Sequence, residues 1–176
     1  GVNPVNDAPV LDLDDAAAVS VDRAADFTET NGADITGNEV AFSTGTNLTD
    51  VDNANLTSLK VTYADTLTAD DEIRIVDGVS SGVDRVIALN AATDTTANGT
   101  AVVGGVTFAY AITDGATDKH DITFTKDGGG EVTKEQMEAL LDALEYNSTD
   151  DNPSPNSTVA FDVSVNDGAA NSAVGT

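Results

Sequence analysis

The chain contains no cysteine and no tryptophan, one histidine, one methionine and four prolines in 176 residues. Without cysteine there is no disulfide framework, no thiolate zinc site and no cysteine nucleophile. Basic residues are scarce as well: 7 Lys plus Arg stand against 31 Asp plus Glu, a formal charge of −24. A surface of that sign repels a phosphate backbone, which excludes nucleic acid as a partner. No apolar run approaches the roughly 20 residues that cross a bilayer, and no charged-then-apolar leader opens the sequence, so membrane insertion is not expected. Aromatic residues make up 5% of the chain, too few for the stacking platforms of a sugar-cleaving cleft. Carboxylate pairs suited to glycoside hydrolysis are so numerous that no pair stands out. The single His120, within Asp118-Lys119-His120-Asp121, reads as a solvated turn residue. The chain is not expected to be an enzyme.

What is present suffices for a core. Hydrophobic residues form 40% of the chain and recur with period two, which argues against disorder despite the charge. Val159, Phe161, Val163 and Val165 alternate with polar or small residues, as do Val106, Phe108, Tyr110 and Ile112. Shorter versions run through Leu59, Val61 and Tyr63, through Ile73 and Ile75, Ile87 and Leu89, and Ile122 and Phe124. Such spacing buries one face of a strand. The 23 Thr and 20 Val suit a pleated surface, and Asp77-Gly78, Asn98-Gly99, Asp114-Gly115, Asp127-Gly128 and Asp167-Gly168 favour tight turns. The fold is therefore predicted as mainly β. One segment differs. Met137, Leu140, Leu141 and Leu144, behind Thr133 and Gln136 at capping-box spacing, predict a short helix over about 134–145.

Along the chain, residues 1–9 hold Pro4 and Pro9 with no apolar alternation and read as an extended connector. Residues 10–176 form the β domain. Its middle, about 65–130, is rich in Thr, Asp and Gly and reads as an insertion or an elaborated sheet edge. After the last long strand only Ala173 and Val174 are apolar. A sandwich would normally add another strand there, so an unpaired edge is expected, inviting an edge-strand dimer.

With one His and no Cys, any chemistry falls to the carboxylates. Loops rich in Asp and Asn suit Ca²⁺, which takes about six to eight oxygen ligands. The densest is Asp50-Val51-Asp52-Asn53-Ala54-Asn55, where Asp50 and Asp52 can aim two carboxylates to one side and Asn55 adds an amide oxygen. It is not an EF-hand, because Asn55 stands where Gly is needed and Val61 where Glu is needed.

The connector Val5-Asn6-Asp7-Ala8-Pro9, this loop, the phrase Leu144-Glu145-Tyr146-Asn147-Ser148-Thr149-Asp150-Asp151-Asn152-Pro153 and the strand ending Val163-Ser164-Val165-Asn166-Asp167-Gly168 together resemble the cadherin-like tandem repeat modules of large bacterial surface and biofilm adhesins of the RTX type. The resemblance covers both ends of the chain but not the middle. It implies an Ig-like Greek-key β-sandwich with Ca²⁺ at its junctions. It implies further that Asn6 and Asp7 match the central pair of the family's connector, although Pro4 replaces the leading Asp. Asp50, Asp52 and Asn55 match its Asp-x-Asp-x-x-Asn loop facing the preceding module. Glu29 and Asp167 resemble acidic residues facing the following module. The implied metal ligands are thus Asn6, Asp7, Glu29, Asp50, Asp52, Asn55 and Asp167, with the first two and the loop at one pole and Glu29 with Asp167 at the other.

On this reading the chain is a calcium-stabilised extracellular extender that rigidifies a multi-domain rod. Its partners are adjacent modules of the same chain, and its place is secreted, on a bacterial cell surface. The alternative is a module whose middle region binds a surface glycan or protein, with Phe108 and Tyr110 as the aromatic pair.

Overall fold

The computed structural model describes residues 5–14, 22–27, 39–64, 66–68, 70–80, 82–89, 98–115, 118–150 and 158–176. Among them the chain forms β1 (Val10–Asp12), β2 (Val40–Ala41), β3 (Asn47–Thr49), β4 (Asn55–Leu56) and β5 (Ser58–Ala64). The two long hairpins follow, β6 (Asp71–Ser80) with β7 (Val83–Ala88) and β8 (Asn98–Val103) with β9 (Val106–Asp114), and then β10 (Lys119–Lys126). After β11 (Val132–Thr133) comes the helix α1 (Lys134–Asp142), followed by β12 (Leu144–Ser148) and β13 (Phe161–Asn166).

These strands make a mainly β, sandwich-like fold with one short helix. A five-stranded antiparallel sheet runs β13-β5-β10-β9-β8, and a four-stranded sheet runs β2-β12-β6-β7. Two short ladders, β1-β3 and β4-β11, flank them. The period-two residues do what alternation requires. Leu59, Val61 and Tyr63 of β5, Phe108 and Ile112 of β9, Ile122 and Phe124 of β10 and Val163 and Val165 of β13 turn inward to meet Ile73, Ile75 and Leu144 of the other sheet in one continuous core. The ring of Phe161 joins the layers, 4.8 Å from that of Phe42 and 5.6 Å from that of Tyr146.

The helix keeps its predicted cap: the Thr133 side chain accepts from the Gln136 amide and the Gln136 side chain accepts from the Thr133 amide. It ends at Asp142 rather than about 145. Leu144 leaves the helical stripe because it pairs with Ile75 in β12, and the ladder bonds of that strand outweigh one more helical turn. The span 65–130 supplies β6 to β10 and is woven into both sheets.

Three local expectations change. Asp77-Gly78 does not end a strand; Asp77 takes a φ of 55° at a bulge within β6, and the strand continues to Ser80. Asn98-Gly99 opens β8, and the glycine is needed for space, since a Cβ there would lie 2.5 Å from the Tyr110 hydroxyl. His120 is no solvated turn residue. It is 6% exposed, because β10 begins at Lys119 and its alternation sends His120 inward with Ile122 and Phe124. Its ring lies 5.5 Å from that of Tyr63, and its Nδ1 is 3.5 Å from the Asp114 carboxylate.

The expected bare edge beside β13 is covered by the chain itself. Gly175 exchanges two backbone hydrogen bonds with Val163, and Ser172 donates to the Val165 carbonyl. The terminal segment therefore runs back along β13, away from Asp167.

Candidate metal centre

Strand register brings three separate segments to one end of the sandwich. β1 and β3 are antiparallel with Val10 opposite Thr49, so the connector before β1 and the loop after β3 emerge side by side. β13 lies against β5 with Asn166 opposite Ser58, and Thr57 donates its amide to the Asn166 carbonyl, which delivers Asp167 to that same end.

The loop is a compact turn built on its first residue. Asp50 Oδ1 accepts from the amides of Asp52 (3.1 Å) and Asn53 (3.0 Å). Its Oδ2 is buried with no hydrogen-bond partner. Partial burial alone would raise this carboxyl, and the charge of Asp167 acts in the same direction. The donated amides of Asn53 and Asp52 prevail and hold it below the ordinary carboxylate range. Behind the turn, Lys134 Nζ donates to the carbonyls of Asp50 (3.2 Å) and Asn53 (3.3 Å).

Asp167 organises the third segment. Its Oδ1 accepts from the amides of Ala170 (2.6 Å) and Ala169 (2.7 Å), and Gly168 turns the chain at a φ of 101°. Its Oδ2 accepts from the side-chain amides of Asn6 (2.9 Å) and Asn53 (3.2 Å). The amides of Ala170 and Ala169, then Asn6, hold its pKa down to about 2 against burial. The connector is strapped on by the same groups: Asn53 Nδ2 donates to Asn6 Oδ1 (3.0 Å), and the Asp7 amide donates to Asp52 Oδ2 (3.2 Å).

Of the residues expected as ligands, Asn6, Asp7, Asp50, Asp52 and Asp167 converge. Asp167 belongs to the connector's pole and not to the opposite one, because β13 runs toward the Asp50 loop and turns there. Asn55 is not in the cluster: it is a β4 residue opposite Thr133, and its side chain donates to Glu131. The amide that takes its place is Asn53, whose position inside the Asp50 turn could be read only from the turn's geometry. Glu29 lies outside the described residues. Phe108 and Tyr110 both face the core, so they offer no aromatic platform.

Comparison with family models, with curated proteins and with solved structures returns no match to this chain. The site must be weighed on its own chemistry. Among the described residues no three His, Cys, Asp or Glu side chains are arranged as a ready metal-ligating group, and no helix is long and apolar enough to cross a membrane. The donor set is all oxygen, as a hard cation requires. Asp50 Oδ2 is a buried anionic oxygen left without a donor, and the Asp7 and Asp52 side chains are exposed beside the turn. Asp167, in contrast, is already saturated by four donors. Asp167 thus ties the connector, the loop and the β13 turn together through hydrogen bonds.

Proposed function

We propose that this chain is an extracellular extender module, cadherin-like, from a large bacterial surface adhesin, and that Ca²⁺ at the Asp7–Asp50–Asp52 pole stiffens the joint through which the chain is led in. The observation that carries this reading is the convergence of connector, loop and β13 turn at one pole, where Asp50 Oδ2 is buried without a hydrogen-bond partner. The connector meets the sandwich beside Asp167, whereas Gly175 and Thr176 lie beside Val163 and Asp162.

The role is structural, with no catalytic step. A bound cation would draw carboxylates of the connector and loop onto one centre, replacing swivelling hydrogen bonds by ionic ones and relieving self-repulsion in a chain of formal charge −24. Affinity in the range of extracellular sites, a dissociation constant of about 10⁻⁴–10⁻³ M, suits a centre with few preassembled carboxylates. Calcium titration by calorimetry, repeated with Asp50→Asn, tests this: the chain should bind Ca²⁺ and the variant should not. Equal binding by both would refute the assignment.

A further inference from the structure

We propose that the groove on the outer face of the five-stranded sheet, between β5, β10, β13 and the terminal segment, binds a neutral saccharide. This role lies beyond the structural one and uses none of the residues of the Asp50 pole. The groove holds about 320 Å³, at the small end of small-molecule sites, which span about 300–1,000 Å³. Strand register sets its floor. Asp121, Thr62 and Asp162 lie side by side across β10, β5 and β13, and two residues along the sheet Lys60 stands beside Ser164. Asn171, Ser172 and Val174 make the wall, held to β13 by the backbone bonds of Ser172 with Val165 and of Gly175 with Val163.

Ser164 is 8% exposed and lines the groove, and its hydroxyl has no hydrogen-bond partner among the described residues. A hydroxyl so placed carries a desolvation cost that a ligand would offset. Lys119 gives one N–H to Asp162 (2.8 Å) and Lys60 one to Asp121 (3.4 Å). Each ammonium therefore keeps donors to spare, and the two carboxylates keep lone pairs. Two of the chain's 7 basic residues thus face two carboxylates, and the groove is locally neutral on a molecule of formal charge −24. The molecule as a whole repels an anion, and an ion of either sign must break an ion pair to be matched. Vicinal hydroxyls, each a donor and an acceptor, use the spare capacity of both kinds and leave the pairs intact. Val174, 52% exposed, offers an apolar wall to the C–H edge of a sugar ring. No aromatic side chain lines the groove, so hydrogen bonds carry the affinity, and a monosaccharide should bind with a dissociation constant of about 1 mM.

The experiment is a ¹H–¹⁵N titration of the whole chain with the methyl α-pyranosides of glucose, galactose and mannose, with sorbitol as an open-chain polyol and glycine as a zwitterion. At least one pyranoside should bind saturably and move the amides of Thr62, Asp121 and Ser164. It should bind about fivefold more weakly to Ser164→Ala and about tenfold more weakly to Lys119→Met, and Lys126→Met, outside the groove, should bind as the parent. Each variant is melted to check folding; if Lys119→Met fails to fold, Ser164→Ala carries the comparison. No saturable shift with any of the three pyranosides, shifts matched by sorbitol, or tighter binding of glycine overturns the saccharide site. Parent-like affinity in either folded groove variant overturns it as well. None of these results bears on Ca²⁺ uptake at the Asp50 pole, so the two readings stand or fall separately.

Discussion

Asp167 concentrates more of the pole's order than any other single side chain there. Four donors converge on its carboxylate, and its pKa falls to about 2 from the ordinary 3.8. A group whose pKa is depressed by folding stabilises the fold above its unfolded value and loses that contribution as pH falls through the folded one. Urea unfolding as a function of pH should therefore show Asp167→Asn less stable than the parent at neutral pH, with the gap closing between about pH 4 and pH 2. A gap constant across that window would contradict the assigned network. Gly99 presents a steric case at the same scale. Gly99→Ala must push Tyr110 from its seat, since the new Cβ would stand 2.5 Å from the hydroxyl and 2.7 Å from Cζ. Overpacking of this kind costs about 1–3 kcal/mol, measurable as a lower urea midpoint with unchanged slope. The sequence marked Asn98-Gly99 as a turn because local chemistry cannot reveal which tyrosine will lie overhead.

Elements were legible in proportion to how locally they are determined. The β5, β9 and β10 faces follow from alternation alone, and the helix start follows from the Thr133–Gln136 box. Where a longer-range contact competes, local reading fails. Leu144 fits the helical stripe but is claimed by Ile75 across the sheet, and His120 looks solvated until strand phase places it inward. The candidate site divides in the same way: Asp50 and Asp52 are visible as a dense motif, but the location of Asp167 depends on β13 register, and the exchange of Asn55 for Asn53 depends on the Asx turn. At this scale the cap gives a direct test. Thr133→Ala removes one half of the box and should cost about 1 kcal/mol, lowering the melting temperature by roughly 2–4 °C. The α1 carboxylates tie the helix to the neighbouring ladder, with Glu138 accepting from the Leu48 amide and Asp142 from Thr46. The helix thus braces the strand that leads into the Asp50 loop.

For the whole molecule, sheet pairing and surplus charge act together. Register draws Asp7, Asp50, Asp52 and Asp167 to one end of a chain that carries 31 acidic residues, and the terminal segment closes the β13 edge instead of leaving it for a second copy. The chain should accordingly remain monomeric by sedimentation; dimerisation abolished by a proline in the 171–175 segment would contradict the covered edge. Stability, in turn, should depend on divalent ions. At Ca²⁺ ten- to a hundredfold above the dissociation constant, mass action adds roughly 1.4–2.7 kcal/mol, a rise of about 3–10 °C in melting temperature for a chain of this length. The decisive measurement is thermal unfolding of the parent chain and of Asp50→Asn, each in excess Ca²⁺ and in EGTA. The account predicts that the parent melts several degrees higher with Ca²⁺ and that the variant melts alike in both; an identical parent melt in Ca²⁺ and EGTA would contradict it.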